Sequence, residues 1–170
     1  MSSRASLAGK RGYLLVSLAV LALDQWTKWL IERSFAPHSS HEIVPGFFHL
    51  SHVRNTGVAF GLMPAQGEFW STALLALLGL GALGFVSWFF LHTPREDRLL
   101  LSALSLVLGG AVGNLLDRLA SGAVTDFLGV YLGSYRWPDF NVADSAICVG
   151  LGLMLLDSFR TRPQAAPSET

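Results

Sequence analysis

The sequence predicts an all-α integral membrane protein. It is expected to have four transmembrane helices, a small extracytoplasmic β-element between the first two, and a short loop or helix between the last two. Three observations carry this reading. Hydrophobic residues make up 51% of the 170 positions and charged residues only 14%, a balance typical of chains dissolved in lipid. Four apolar stretches are long enough to cross a hydrocarbon core of ~30 Å at ~1.5 Å per residue. Lysine and arginine gather at alternate ends of those stretches, as the positive-inside rule requires of an even number of crossings.

The elements follow in chain order. A first span, residues 12–31, comes after Lys10 and Arg11 and contains Asp24 and Lys28. It begins like a cleaved signal peptide, but Leu23 stands where cleavage needs a small residue and "QWTKWLI" continues as amphipathic helix, so the span is retained. The stretch "FHLSHVRNTGVAFG" alternates loosely and predicts one or two short strands ending in a glycine turn. A second span, residues 69–91, carries no charge, and a third, residues 99–116, carries only Asn114 as a polar intruder. A fourth, residues 140–159, contains Asp144. In the last connection Gly122, Gly129 and Gly133 give the backbone freedom to fold back, and residues 128–137, rich in aromatics and glycine, are read as a lid.

The chain is thus expected to form a single membrane domain over residues 12–160, with a strand-rich insertion at 34–68. A cytoplasmic tail at 1–11 and a disordered tail at 161–170 complete it. Arg4, Lys10 and Arg11, then Arg95 and Arg98, then Arg160 and Arg162 fall on one side, which places both termini in the cytoplasm. Trp26, Trp29, Trp70, Tyr131, Tyr135 and Trp137 form an aromatic belt near the opposite face, and Trp88 lies near the inner one. The formal net charge is zero, so bulk charge gives no reason to expect nucleic acid. The lone Cys148 excludes an intramolecular disulfide and reads as a helix-packing residue.

Depth gives the polar intruders their meaning. Counted from the inner face, Asp24 rises ~20 Å and Asn114 and Asp144 each ~24 Å at 1.5 Å per residue, so three helices deliver polar groups to one level. Lys28 follows Asp24 by one turn, and Asp117 and Arg118 follow Asn114 at i+3 and i+4, on faces that climb outward. The bland alternative pairs Asp24 with Lys28 and Asp117 with Arg118. It leaves Asp126 and Asp144 without a cation nearby in sequence. Two converging carboxylates share a proton, so that one activates water while the other polarises a carbonyl, and this is amide hydrolysis without a covalent intermediate. The five histidines lack HExxH spacing, and neither a G-x-S-x-G elbow nor a phosphate loop is present. The G-x-x-x-G spacing in "GGAVG" reads as close helix packing.

The motifs "LDQWTK", "RNTGVAFG", "GGAVGNLLDR", "VTDF" and "FNVADSAI" resemble, in order, those of the lipoprotein signal peptidase family, also called signal peptidase II. The resemblance covers nearly all of the chain between the tails. It implies a bacterial inner-membrane aspartyl endopeptidase, active toward the outer leaflet, that cleaves diacylglyceryl-modified prolipoproteins just before the lipidated cysteine. It assigns catalysis to Asp126 and Asp144, and substrate binding or support of the pair to Asp24, Lys28, Asn55, Asn114, Asp117, Arg118 and Asn141. Val58 stands where the family more often has alanine. Expected partners are those prolipoproteins and membrane lipids, with no nucleic acid; the chain is expected to act as a monomer without metal or cofactor. The rival readings are a small ion- or proton-coupled transporter, whose site usually lies mid-membrane between repeated halves, and a non-enzymatic membrane scaffold.

Overall fold

The computed structural model describes residues 7–57 and 68–159, with only the backbone described at residues 7, 8 and 68–71. A 3-10 turn, Leu7–Lys10, leads into α1, Arg11–Ser34. Two strands follow, β1 at Ser40–Val44 and β2 at Phe48–Asn55, then α2 at Glu68–His92 and α3 at Arg98–Ser121. The chain closes with β3 at Val124–Leu132, β4 at Tyr135–Arg136 and α4 at Val142–Ser158.

Helix ends fall where the local chemistry puts them. α1 stops with Phe35 extended and Pro37 close behind, because the residue before a proline disfavours helix. α3 ends on Gly122, whose φ of +72° is the left-handed C-cap conformation glycine adopts without strain, and its N–H returns to the Arg118 carbonyl at 3.0 Å. α4 opens with a capping box: the Asn141 side chain accepts from the Asp144 N–H, and the Asp144 carboxylate accepts from the Asn141 N–H.

α3 is the central post and packs against each of the other three helices. Leu101, Ala103 and Leu104 are fully buried on it, and Phe90 of α2 joins Leu100, Leu101, Leu104 and Leu108 in the core. Glycines on α3 set the spacing: a Cβ on Gly109 would stand 2.6 Å from the Ser17 carbonyl oxygen of α1. The outer surface is inverted relative to a water-soluble bundle, with Leu15, Leu77, Phe85, Leu151 and Leu156 all more than half exposed. α1, α3 and the Thr72–His92 part of α2 are long and apolar enough to cross a membrane. α4, with 17 residues, extends ~25 Å.

The start of α1 and the α2–α3 connection share one end of the bundle. There the buried Lys10 ammonium donates to the last carbonyls of α2, Phe90 at 2.7 Å and Leu91 at 2.8 Å. The sheet lies beyond the ends of α1 and α3 opposite to that one. Arg4, Arg160 and Arg162 of the charged flanks, the Trp70 side chain of the aromatic belt and Val58 lie outside the described residues.

The connection between α3 and α4 departs from expectation. In place of a loop or short helix stand β3 and β4, which extend the expected hairpin into a four-stranded antiparallel sheet in the order β1-β2-β3-β4. Val124, Thr125, Phe127, Val130 and Tyr131 are β-branched or aromatic and suit a pleated surface, and β2 offers them an edge to pair with. Residues 128–137, read from sequence as a lid, are therefore the far half of β3, a tight turn at Gly133 and β4.

Candidate active site

Two strands and three helix segments converge on Asp126 and Asp144. Asp126 lies on β3 opposite Val53 of β2, which makes Asn55 its diagonal neighbour on the same face of the sheet. Asn55 Nδ2 donates to Asp126 Oδ2 at 2.9 Å. Asp144 sits in the first turn of α4. The backbone folds back through a bridge between Leu128 and Phe140, with bonds from the Leu128 N–H to the Phe140 carbonyl at 2.8 Å and from the Phe140 N–H to the Leu128 carbonyl at 3.1 Å. That bridge brings the strand carrying one acid beside the helix start carrying the other.

Asn141 joins the two acids directly. Its side-chain amide donates to Asp126 Oδ1 at 2.7 Å, and its backbone N–H donates to Asp144 Oδ2 at 3.2 Å. Asn114 of α3 completes the cradle by donating to Asp144 Oδ1 at 2.7 Å. The side-chain oxygen of Asn114, Oδ1, accepts from Asn141 Nδ2 at 3.2 Å and from Lys28 Nζ at 3.0 Å. Each of the four carboxylate oxygens thus has a donor.

Behind the pair lies a buried charge cluster centred on Lys28. Its ammonium bonds Asp24 Oδ2 at 2.8 Å and stands 2.6 Å from Asp117 Oδ2, off the hydrogen-bonding direction, so that the second contact is an ion pair. Asp24 also reaches α4, where its Oδ1 accepts from the Ala143 N–H at 2.9 Å. Gly113 permits this approach, since a Cβ there would come within 2.5 Å of Asp24 Oδ2. Lys28 is 3% exposed and Asp24 and Asn141 are wholly buried, a setting in which charges persist only when paired.

Asp126 is 2% exposed. Burial pushes its carboxyl up to about 6, and the nearby Asp144 charge pushes the same way. The Asn55 and Asn141 amides and the Lys28 charge oppose the rise. A carboxyl held in that range exchanges a proton near neutral pH, as general acid–base work requires. A cavity of about 570 Å³ lies beside the end of β2 and the α3–β3 junction, lined by Arg54, Thr56, Thr72, Ser121 and Ala123 among others, and neither Asp126 nor Asp144 lines it.

Of the residues singled out from sequence, Asp126, Asp144, Asn55, Asn114, Asn141, Asp24, Lys28 and Asp117 form one continuous network. Arg118 stands apart: its guanidinium donates to the Asn114 backbone carbonyl of its own helix at 3.2 Å. Asp117 takes Lys28 as its partner across the helix interface. Four residues were missed. Gln25 donates to Asp117 Oδ1 at 2.8 Å, Thr125 donates to Glu32 Oε1 at 2.6 Å, and Ala143 contributes only its backbone N–H. Gln25 lies inside the "LDQWTK" motif, and Glu32 repeats the four-residue step from Asp24 to Lys28, so both carried a signal; a backbone contribution carries none.

A family model described as signal peptidase II matches residues 16–160. The chain is 44% identical over 151 residues to the lipoprotein signal peptidase of Solibacter usitatus, covering 89% of this chain and 92% of that one. It is 46% identical over 154 residues to that of Syntrophotalea carbinolica, covering 91% and 94%. It also superposes on a solved structure of a bacterial membrane enzyme with a TM-score of 0.78 at 27% identity, over 89% of this chain and 94% of that one.

Proposed function

This chain belongs to the signal peptidase II family, and from that premise we propose that its reaction is hydrolysis of a prolipoprotein's signal-peptide bond by Asp126 and Asp144. The chain is an aspartic-type peptidase. The single observation that carries the assignment of the pair is the placement of Asn141, which donates to both acids at once. No other two carboxylates among the described residues are joined through one amide residue while remaining free of a cation's direct contact.

The chemistry follows from the shared proton. An ionised carboxylate takes a proton from a water held between the acids, and the water oxygen bonds to the scissile carbonyl carbon. The protonated partner donates a hydrogen bond to the carbonyl oxygen as negative charge develops there. Collapse of the tetrahedral intermediate breaks the C–N bond, and the leaving nitrogen takes the proton that the carboxylate removed from water and departs as an amine. Asn55, Asn114 and Asn141 orient the two carboxylates, Asp24, Lys28 and Asp117 brace them through α1 and α3, and Arg118 is assigned to contact with the substrate.

The proposed setting is a four-crossing fold over residues 12–160 with both termini in the cytoplasm of a bacterial cell. The sheet and the acid pair lie at the outer side of the inner membrane. The substrate is a diacylglyceryl-modified prolipoprotein, whose apolar signal helix enters sideways from the bilayer while its acyl chains stay in lipid. Cleavage falls just before the lipidated cysteine. The chain acts as a monomer. Purified protein with a lipidated precursor peptide tests this reading: release of the signal peptide supports it, and an inert wild-type protein overturns it.

A further inference from the structure

α1 carries three ionisable groups one turn apart on a single face, Asp24, Lys28 and Glu32. Each reaches a different neighbour. Asp24 binds the start of α4 at the Ala143 N–H, and Lys28 binds α3 at Asn114 and Asp117. Glu32 binds β3, where its carboxylate accepts the Thr125 hydroxyl proton at 2.6 Å across 93 positions of sequence. These three partners are the segments that carry Asp144, Asn114 and Asp126.

We propose that Glu32 is a positioning residue for the reaction, fixing the depth and tilt of the Asp126 strand against α1 through Thr125. The proposal rests on the assignment of Asp126 and Asp144 as the reacting pair. Thr125 is 6% exposed and immediately precedes Asp126, and side chains alternate along a strand. Thr125 therefore anchors β3 from the face opposite to the one that presents Asp126. On that other face the amides of Asn55 and Asn141 are the groups that bond Asp126 among the described residues. The same strand is held on one edge by β2 and at Leu128 by Phe140, so in-plane position is set by backbone pairing. The Glu32–Thr125 bond fixes its approach to α1. A short bond between a carboxylate and a hydroxyl suits such a pin, being charge-assisted and directional.

Misplacement of reacting groups by ~1 Å costs on the order of 10²-fold in rate, and loss of one of several anchors costs a part of that. Kinetics on a lipidated precursor peptide test the proposal with Glu32→Ala, Glu32→Gln, Thr125→Val and the Glu32→Ala/Thr125→Val double variant, beside wild type and Asp126→Asn. The expected result is a fall in kcat of about 10-fold for Glu32→Ala and for Thr125→Val, with KM unchanged. The double variant should be no worse than either single one, and Glu32→Gln, whose amide oxygen still accepts from Thr125, should recover most of the rate. Wild-type kcat in Glu32→Ala, additive losses in the double variant, or a Glu32→Gln variant as slow as Glu32→Ala would overturn it. If Asp126→Asn is inert while Glu32→Ala turns over normally, the proposal fails alone; if wild type itself releases no peptide, the reading of the pair fails with it.

Discussion

Asp24 and Ala143 are 119 positions apart in sequence, yet Asp24 Oδ1 accepts the Ala143 N–H at 2.9 Å. A carboxylate from the first helix thereby satisfies one of the free amides at the start of the fourth, beside the turn that holds Asp144. Negative charge is favoured at a helix N-terminus, and the other Asp24 oxygen is neutralised by Lys28. Replacing Asp24 by alanine removes both contacts. The account predicts that Asp24→Ala lowers kcat by at least about 10-fold and destabilises the fold by about 1–3 kcal/mol. Peptide release and thermal unfolding in detergent check the two effects separately.

Gly113 gives a finer probe of the same relationship. A single methyl group there would press on Asp24 Oδ2 from 2.5 Å. Gly113→Ala is expected to displace the carboxylate and cost about 1–3 kcal/mol as overpacking, with activity falling more than stability alone explains. Wild-type turnover in the Gly113→Ala variant would show that Asp24 can shift without consequence.

Lys28 is the only cation in direct contact with the buried Asp24 and the partly buried Asp117 among the described residues. Lys28→Met leaves both uncompensated, and removing one partner of a buried pair typically costs about 3–5 kcal/mol. The expected outcome is a large fall in melting temperature, with poor recovery of folded protein. The double variant Lys28→Met/Asp24→Asn should regain part of the loss.

Much of this cluster was legible in the sequence because helix geometry converts spacing into depth. Asp24, Asn114 and Asp144 were placed at one level by counting residues from the charged inner ends, and in the structure Asn114 bonds Asp144 while Lys28 ties Asp24 to Asn114. The glycine pattern "GGAVG" was likewise legible as close packing, and Gly109 and Gly113 meet α1 at contact distance. Partner choice was not legible. Asp117 pairs with Lys28 rather than Arg118, because facing across a helix interface is decided by helix rotation, which periodicity in a uniformly apolar span does not fix. The strands β3 and β4 were missed for a related reason. Their glycines and aromatics read equally as a flexible cap, and only pairing with β2, far earlier in the chain, makes them a sheet; Asn55 and Asp126 are 71 positions apart.

Acidity provides a prediction with a definite sign. The Asp126 carboxyl is raised to about 6, chiefly by burial, so the singly protonated pair persists below that pH and loses its proton above it. kcat/KM is expected to decline on the alkaline side with an apparent pKa near this value. The Asn55 amide favours the ionised form. Asn55→Ala should therefore move that limb upward by about one pH unit, whatever its effect on the maximum rate. A limb that stays in place, or moves down, contradicts the described environment of Asp126.

The most direct measurement compares Asp126→Asn and Asp144→Asn with wild type for release of signal peptide from a lipidated precursor, at matched amounts of folded, membrane-inserted protein. Asparagine keeps the shape of each site and one of its two acceptor oxygens but cannot hold or yield the shared proton. The account predicts that both variants fold and insert normally and that each loses cleavage by about 10³-fold or more. Substantial turnover by either folded variant would contradict the claim that these two acids together carry the reaction.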